Sequence, residues 1–339
     1  MNRVIDLASG RENNFDFIRV VAAVAVMFSH SYPLTFGEND NEPLFILTKC
    51  QTDFGITAVN IFFIVSGFLV TQSLFRKQNL IDYFRSRALR IFPALIVMIV
   101  LMVFLIGPLL STRSAGEYFS DGKTFNYLRL IYVFTGEEIN SLPGVFENNP
   151  FHHVVNGSLW TIRYELTCYL ALPAIYLLFR KRWVAPLILS AAVIFIVLNL
   201  FFAPGYLIIS LITCFLSGSL FFVFRNRIPL HWLPAVASAG LLIISVPLKI
   251  LSYTFPWLMG YLVIYLALVP KSALRRFGKY GDFSYGIYIW AFPVQQVIAQ
   301  HYSYKGPLFN VLASFPFVLL IAVGSWYMIE KPALSWKTK

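Results

Sequence analysis

Apolar stretches of about twenty residues, each long enough to cross ~30 Å of hydrocarbon as a helix, alternate along the chain with short polar connections. The pattern predicts spans near 15–34, 54–74, 91–110, 158–179, 183–202, 206–224, 231–247, 253–269, 283–299 and 309–328. The expected fold is all-α: a polytopic integral membrane bundle of about ten transmembrane helices. Pro247, Pro256 and Pro293 interrupt apolar runs. A membrane bundle tolerates this because neighbouring helices satisfy the released carbonyls. The longest polar stretch, 111–157, is too short and irregular to read as an independent fold.

Composition agrees with the pattern. With 58% hydrophobic and 13% charged residues among 339, and a mean hydropathy of +0.68, the chain is more apolar than soluble domains, which average ~45–50%. It reads as a single membrane domain, 1–339, with no appended soluble domain. The polar lead Met1 to Asn14 runs into a full span rather than a short apolar core with a small-residue cleavage site, so no cleavable signal is expected. Cys50, Cys168 and Cys214 offer no disulfide framework and read as small buried hydrophobes.

Charge gives the orientation. With ten spans and both termini cytoplasmic, 19 basic residues fall on inner segments and 6 on outer ones, a strong positive-inside asymmetry. The net charge of +11 is then explained by topology and attraction to anionic membrane lipids, and implies no nucleic-acid partner.

Two spans carry ionisable groups that hydrocarbon disfavours, at a cost of at least ~2.5 kcal/mol each, and such groups mark function by default. On the first span Arg19 and His30 differ by only ~20° around the helix and Asp16 lies within ~60° of both; His30 sits ~16 Å beyond Arg19. On the fourth span, beside Arg163, Ser158 and Glu165 share a face, extended by Tyr169, and Glu165 lies at a depth similar to His30. A histidine oriented by a carboxylate is the arrangement of a general base acting on a hydroxyl. The same histidine would equally serve as a hydrogen-bonding partner for a neighbouring helix, and a proton-coupled transporter would use the same residues.

Six stretches carry a resemblance: FDFIRVVAAVAVMFSH (15–30), NIFFIVSGFLVTQSL (60–74), YFRSRALRIFPAL (83–95), NGSLWTIRYELTCYL (156–170), FSYGIYIWAFPVQQ (283–296) and YMIEKPAL (327–334). In this order they closely resemble the acyltransferase-3 family over nearly the whole chain. The resemblance implies a bacterial inner-membrane enzyme that O-acylates a cell-surface polysaccharide or its lipid-linked precursor. Acetyl-coenzyme A would be a substrate and no cofactor would be permanently bound.

The resemblance also implies roles. His30 matches the family's essential histidine, Arg19 the arginine upstream, and Arg87 with Arg90 its Arg-x-x-Arg motif. Two guanidiniums three residues apart suit the phosphates of coenzyme A; as plain positive-inside anchors they would look the same. Ser66 and Gly67 match the second-span signature, where small residues let helices approach. Trp160 and Glu165 match the fourth-span motif, and Trp160 also fits an interfacial belt. Glu330, Lys331 and Pro332 match the family's end of the last span, and are expected to be structural or near the donor entrance.

One departure stands out. Many relatives carry a histidine on the ninth span just before the aromatic and proline, where this chain has Ala291, Phe292 and Pro293 and then Gln295 and Gln296. A second histidine acting there is therefore not expected. His152 and His153 have no carboxylate or cysteine at a metal-binding spacing, so no metal is expected. The expected mechanism has His30 deprotonating an acceptor hydroxyl as it attacks the thioester, with Glu165 orienting the imidazole; an acyl-histidine intermediate is the alternative. The rival classes are a transporter or flippase of a lipid-linked sugar, using the same charged stripe, and a glycan polymerase, which ordinarily needs a long outer loop.

Overall fold

The computed structural model describes residues 3–5, 13–76, 79–135, 139–201, 207–271 and 273–336. Arg11, Lys77, Lys337 and Lys339, counted in the charge asymmetry, lie outside these, as do the expected span ends at 202 and 206.

The fold is helical. Its long elements are α1 (Phe15–Phe36), α2 (Phe54–Arg76), α3 (Leu80–Leu101), α4 (Trp160–Phe201) and α5 (Leu207–Val223). They continue with α6 (Trp232–Ser245), α7 (Leu251–Leu268), α8 (Ser284–Tyr302) and α9 (Gly306–Ser325). Among the described residues five helical runs are long and apolar enough to cross a bilayer: Phe15–Phe36, Phe54–Arg76, Leu80–Leu110, Leu251–Leu268 and Ser284–Ser335, the last containing both α8 and α9. α5 and α6 are apolar but shorter.

Two boundaries differ from expectation. α3 starts at Leu80 rather than 91, because RSRALR supplies good helix formers and no breaker; it continues through a π-helical turn, Met102–Ile106, to Leu110. The spans expected at 158–179 and 183–202 form one helix of 42 residues. The basic residues between them include neither glycine nor proline, and the helix runs on through Pro173 and Pro186.

The chain divides into two compact units. The first comprises 1–22, 43–83 and 164–280; the second comprises 23–42, 84–163 and 281–339.

In the first unit α2, α5 and α7 run parallel. Asn60 accepts from Ser210 (3.2 Å) near the helix starts, and Phe68 and Phe75 meet Phe222 further along. Ser217 donates to Pro256 O at 2.6 Å, and Phe221 meets Tyr261. α2 and α5 touch backbone to backbone: a Cβ on Gly67 would stand 2.0 Å from Phe215 O, and one on Gly218 2.0 Å from Ile64 O. Packing by small residues is the means by which membrane helices approach closely. Gly218→Leu is therefore expected to cost upwards of ~1–3 kcal/mol from overpacking, read as a lower unfolding temperature in detergent; an unchanged temperature would show that the helices can part cheaply.

The carbonyls left over at the end of α7 are satisfied from two sides. Asn14 Nδ2 donates to Leu266 O (2.9 Å) and Pro270 O (3.2 Å), while Arg275 donates to Leu268 O, Val269 O and Pro270 O. The start of α1 is thus tied to the basic turn Ala273–Lys279, where the Asp16 carboxylate packs on Gly278.

In the second unit α8 and α9 form an antiparallel pair, with Gly286 against Ala322 at one end and Gln295 bonded to Asn310 at the other. The polar segment after α3 is more ordered than its composition suggests. Ser114 and Glu117 form a reciprocal capping box at the short helix Ala115–Ser120, and the hydrogen bonds from Ser114 hold the Glu117 carboxyl below its ordinary range. Tyr118 then anchors this helix by donating to Val103 O at 3.1 Å.

Candidate active site

His30 is half-buried in the second unit. α1 carries it against α8, where its ring meets Phe292 edge-on, centroids 5.2 Å apart and planes at 77°. Phe292 lies with Leu34 and Ala299 in a buried cluster that Phe151 and Val154 cover. His30 Nδ1 is buried and has no hydrogen-bond partner among the described residues. A buried orphan nitrogen is costly unless a ligand or proton uses it.

A set of buried amides fixes the backbone around this ring. Gln295 Nε2 donates to Met27 O and to Asn310 Oδ1, both at 2.9 Å, and Asn310 Nδ2 returns a bond to Gln295 O at 3.0 Å. Met27 is one helical turn before His30, so Gln295 and Asn310 clamp the turn that carries the imidazole. Gln296 Nε2 donates to Phe151 O (2.8 Å) and Val154 O (2.7 Å), and its Oε1 accepts from Asn149 at 2.6 Å. Asn156 donates to Ile289 O (2.8 Å), and Tyr288 Oη to Ser158 O (2.8 Å). Where relatives carry a ninth-span histidine, this chain instead ties the approach loop to α8 with amides. Gln295 stood out in the sequence as part of that departure; Asn310 and Asn149 did not.

Glu165, in the first unit, accepts from Ser66 Oγ at 3.3 Å and from Tyr169 Oη; the Tyr169 hydroxyl is also 3.4 Å from Ser66 Oγ. Tyr83 Oη donates to Tyr169 O at 3.0 Å and steadies that turn of α4. Ser66 of the second-span signature and Tyr169 of the fourth-span face thus converge on one oxygen of Glu165. Ser66, expected to serve helix packing with Gly67, belongs to this polar group, and Gly67 alone makes the close helix contact.

In the Arg-x-x-Arg motif Arg90 is held by carboxylates. Arg90 pairs with Asp282 at 2.5 Å and with buried Glu330 at 3.6 Å, and its guanidinium lies 5.9 Å from the centre of the Tyr285 ring. Ser325 donates to Glu330 at 3.0 Å. Arg87 is half-buried on the same helix, and Arg19 is half-buried on α1. Trp160 and Arg163 line a cleft of about 140 Å3 with Asn140, Gly157 and Leu130.

His152 Nδ1 lies 2.9 Å from Asn149 O. Among the described residues no three His, Cys, Asp or Glu side chains gather as a metal site.

The apolar helices, several of them of membrane length, are those of an integral membrane protein. Comparison makes the class specific: the model of the family described as an acyltransferase domain matches residues 12–330, and the chain belongs to this acyltransferase-3 family. It is 30% identical to an O-acetyl transferase of Shigella phage Sf6, over 96% of this chain and 97% of that one. It is 28% identical to nodulation protein 10 of Rhizobium leguminosarum bv. viciae, over 98% of this chain and 95% of that one. No solved structure matches the chain. The protein is an integral membrane acyltransferase.

Proposed function

We propose that the protein transfers acetyl from acetyl-coenzyme A to a hydroxyl of a cell-surface polysaccharide or its lipid-linked precursor, at a bacterial inner membrane. The observation that carries this reading is the vacant, buried Nδ1 of His30 inside a clamped helical turn. His30 takes the proton from the acceptor hydroxyl as its oxygen attacks the thioester carbonyl. The carbon–sulfur bond breaks, and the departing thiolate of coenzyme A takes the proton back from the imidazolium. From the sequence we also assign Glu165 the stabilisation of the charged imidazole. For the donor phosphates we assign Arg87, Arg90 and Arg19, the arginines that the family resemblance implies.

Ten crossings with both termini cytoplasmic follow from the apolar pattern and the positive-inside count of the sequence; the continuous helix over 160–201 would have to break near 180–182 to supply two of them. Single cysteines at Arg85 and Ser120, both exposed positions, in a background without the native cysteines, are expected to react with an impermeant thiol reagent from opposite sides of the membrane. Reaction from one side would overturn the topology.

Purified protein is expected to release free coenzyme A from acetyl-coenzyme A only when a glycan acceptor is added. A transporter of lipid-linked sugar consumes no thioester, so the absence of acceptor-dependent release would remove the acyl-transfer reading.

A further inference from the structure

The parallel helices α2, α5 and α7 of the first unit begin around a cavity of about 390 Å3. Two cations face it from different connections: Lys49, before α2, and Lys249, before α7. Both are exposed, and neither is in an ion pair among the described residues. Gln51 joins their two connections, its Nε2 donating to Thr48 O and to Val246 O, each at 2.8 Å. The separation of the lysines is therefore fixed by a side-chain clamp. Asn60 and Ser210, bonded to each other, supply a polar wall, and Phe45 and Phe255 supply an apolar one.

Electrostatics at this end favour an anion. The starts of α2, α5 and α7 bring the positive ends of three helix dipoles to one side, adding to the two ammonium groups. The adjacent carboxylate, Asp53, is occupied in capping α2, accepting from Ile56 N at 2.6 Å. The backbone is also held in an unusual shape here: Lys49, Cys50 and Lys249 have φ of 54°, 65° and 57°. They are three of the six non-glycine residues with positive φ among the described residues. Such strain persists only where the surroundings enforce it.

We propose that this cavity binds the phosphate head of a membrane lipid, with the two lysines on the phosphate and the lipid chain along the aromatic wall. An ordinary anionic phospholipid and a polyprenyl phosphate share this chemistry. The site does not depend on the acyl-transfer reading.

Cys50 provides a reporter, because it is exposed in the cavity wall while Cys168 and Cys214 are buried. The full chain is placed in nanodiscs of neutral phosphatidylcholine, and the rate of Cys50 modification by an impermeant maleimide is followed. Phosphatidic acid in one arm and undecaprenyl phosphate in another are expected to slow it, about tenfold at a free concentration ten times Kd. Stronger protection in one arm identifies the source. In the Lys49→Gln, Lys249→Gln double variant the unprotected rate should remain and the protection should vanish. No protection in either lipid arm, or equal protection of the double variant, overturns the site. Equal protection by inorganic phosphate alone overturns its assignment to a lipid.

Discussion

His30→Ala is expected to abolish acyl transfer while leaving a protein that inserts and purifies as a single species. The imidazole contributes one edge-on contact with Phe292, a modest packing loss, whereas a positioned general base is worth ~10²–10⁴ in rate. The clamp from Gln295 to Met27 O is untouched by the substitution, so the helical turn should keep its place. The measurement is acceptor-dependent release of coenzyme A, with a melting curve as control. Turnover near that of the parent would remove His30 from the chemistry.

Glu165→Gln is the second large effect. The amide keeps an oxygen to accept from Ser66 and Tyr169, so shape and hydrogen bonding persist and only the charge is lost. If the charge stabilises an imidazolium, the rate should fall by ~10² or more. Tyr169→Phe, which keeps the charge and removes one donor, should fall less. A double-mutant cycle with His30→Ala tests whether the two residues act together: additive losses would separate them. A Glu165→Gln variant with parental rate would take Glu165 out of the mechanism.

Much of the helical layout was legible because an apolar run of membrane length leaves the backbone few alternatives to a helix. α1, α2 and α5 to α9 lie within a few residues of their expected positions. The misses have a shared cause. Where the polar connections at 80–90 and 180–182 lack glycine and proline, hydropathy falls but helix propensity does not, so α3 extends backwards and α4 runs on.

At the candidate site, helical spacing revealed what lies on one helix. The four-residue step from Glu165 to Tyr169 is such a case. It could not reveal which distant helix answers. Nothing near Arg90 in the sequence points to Asp282 and Glu330, which only the fold delivers to it. Gln295 and Gln296 looked like a departure from the family pattern. Their use became visible once Met27, Asn310 and the carbonyls of 151 and 154 were placed around them.

The glycine contact between α2 and α5 has a consequence for how the active site is calibrated. Gly67 meets the Phe215 carbonyl and Gly218 meets that of Ile64, so each helix is notched into the other and neither can slide along its axis. Ser66 adjoins one of these notches. Its hydroxyl therefore inherits a fixed height beside Glu165, as a mark on a ruler does. A change in the notch would displace every group referenced to it, the Ser66 hydroxyl first.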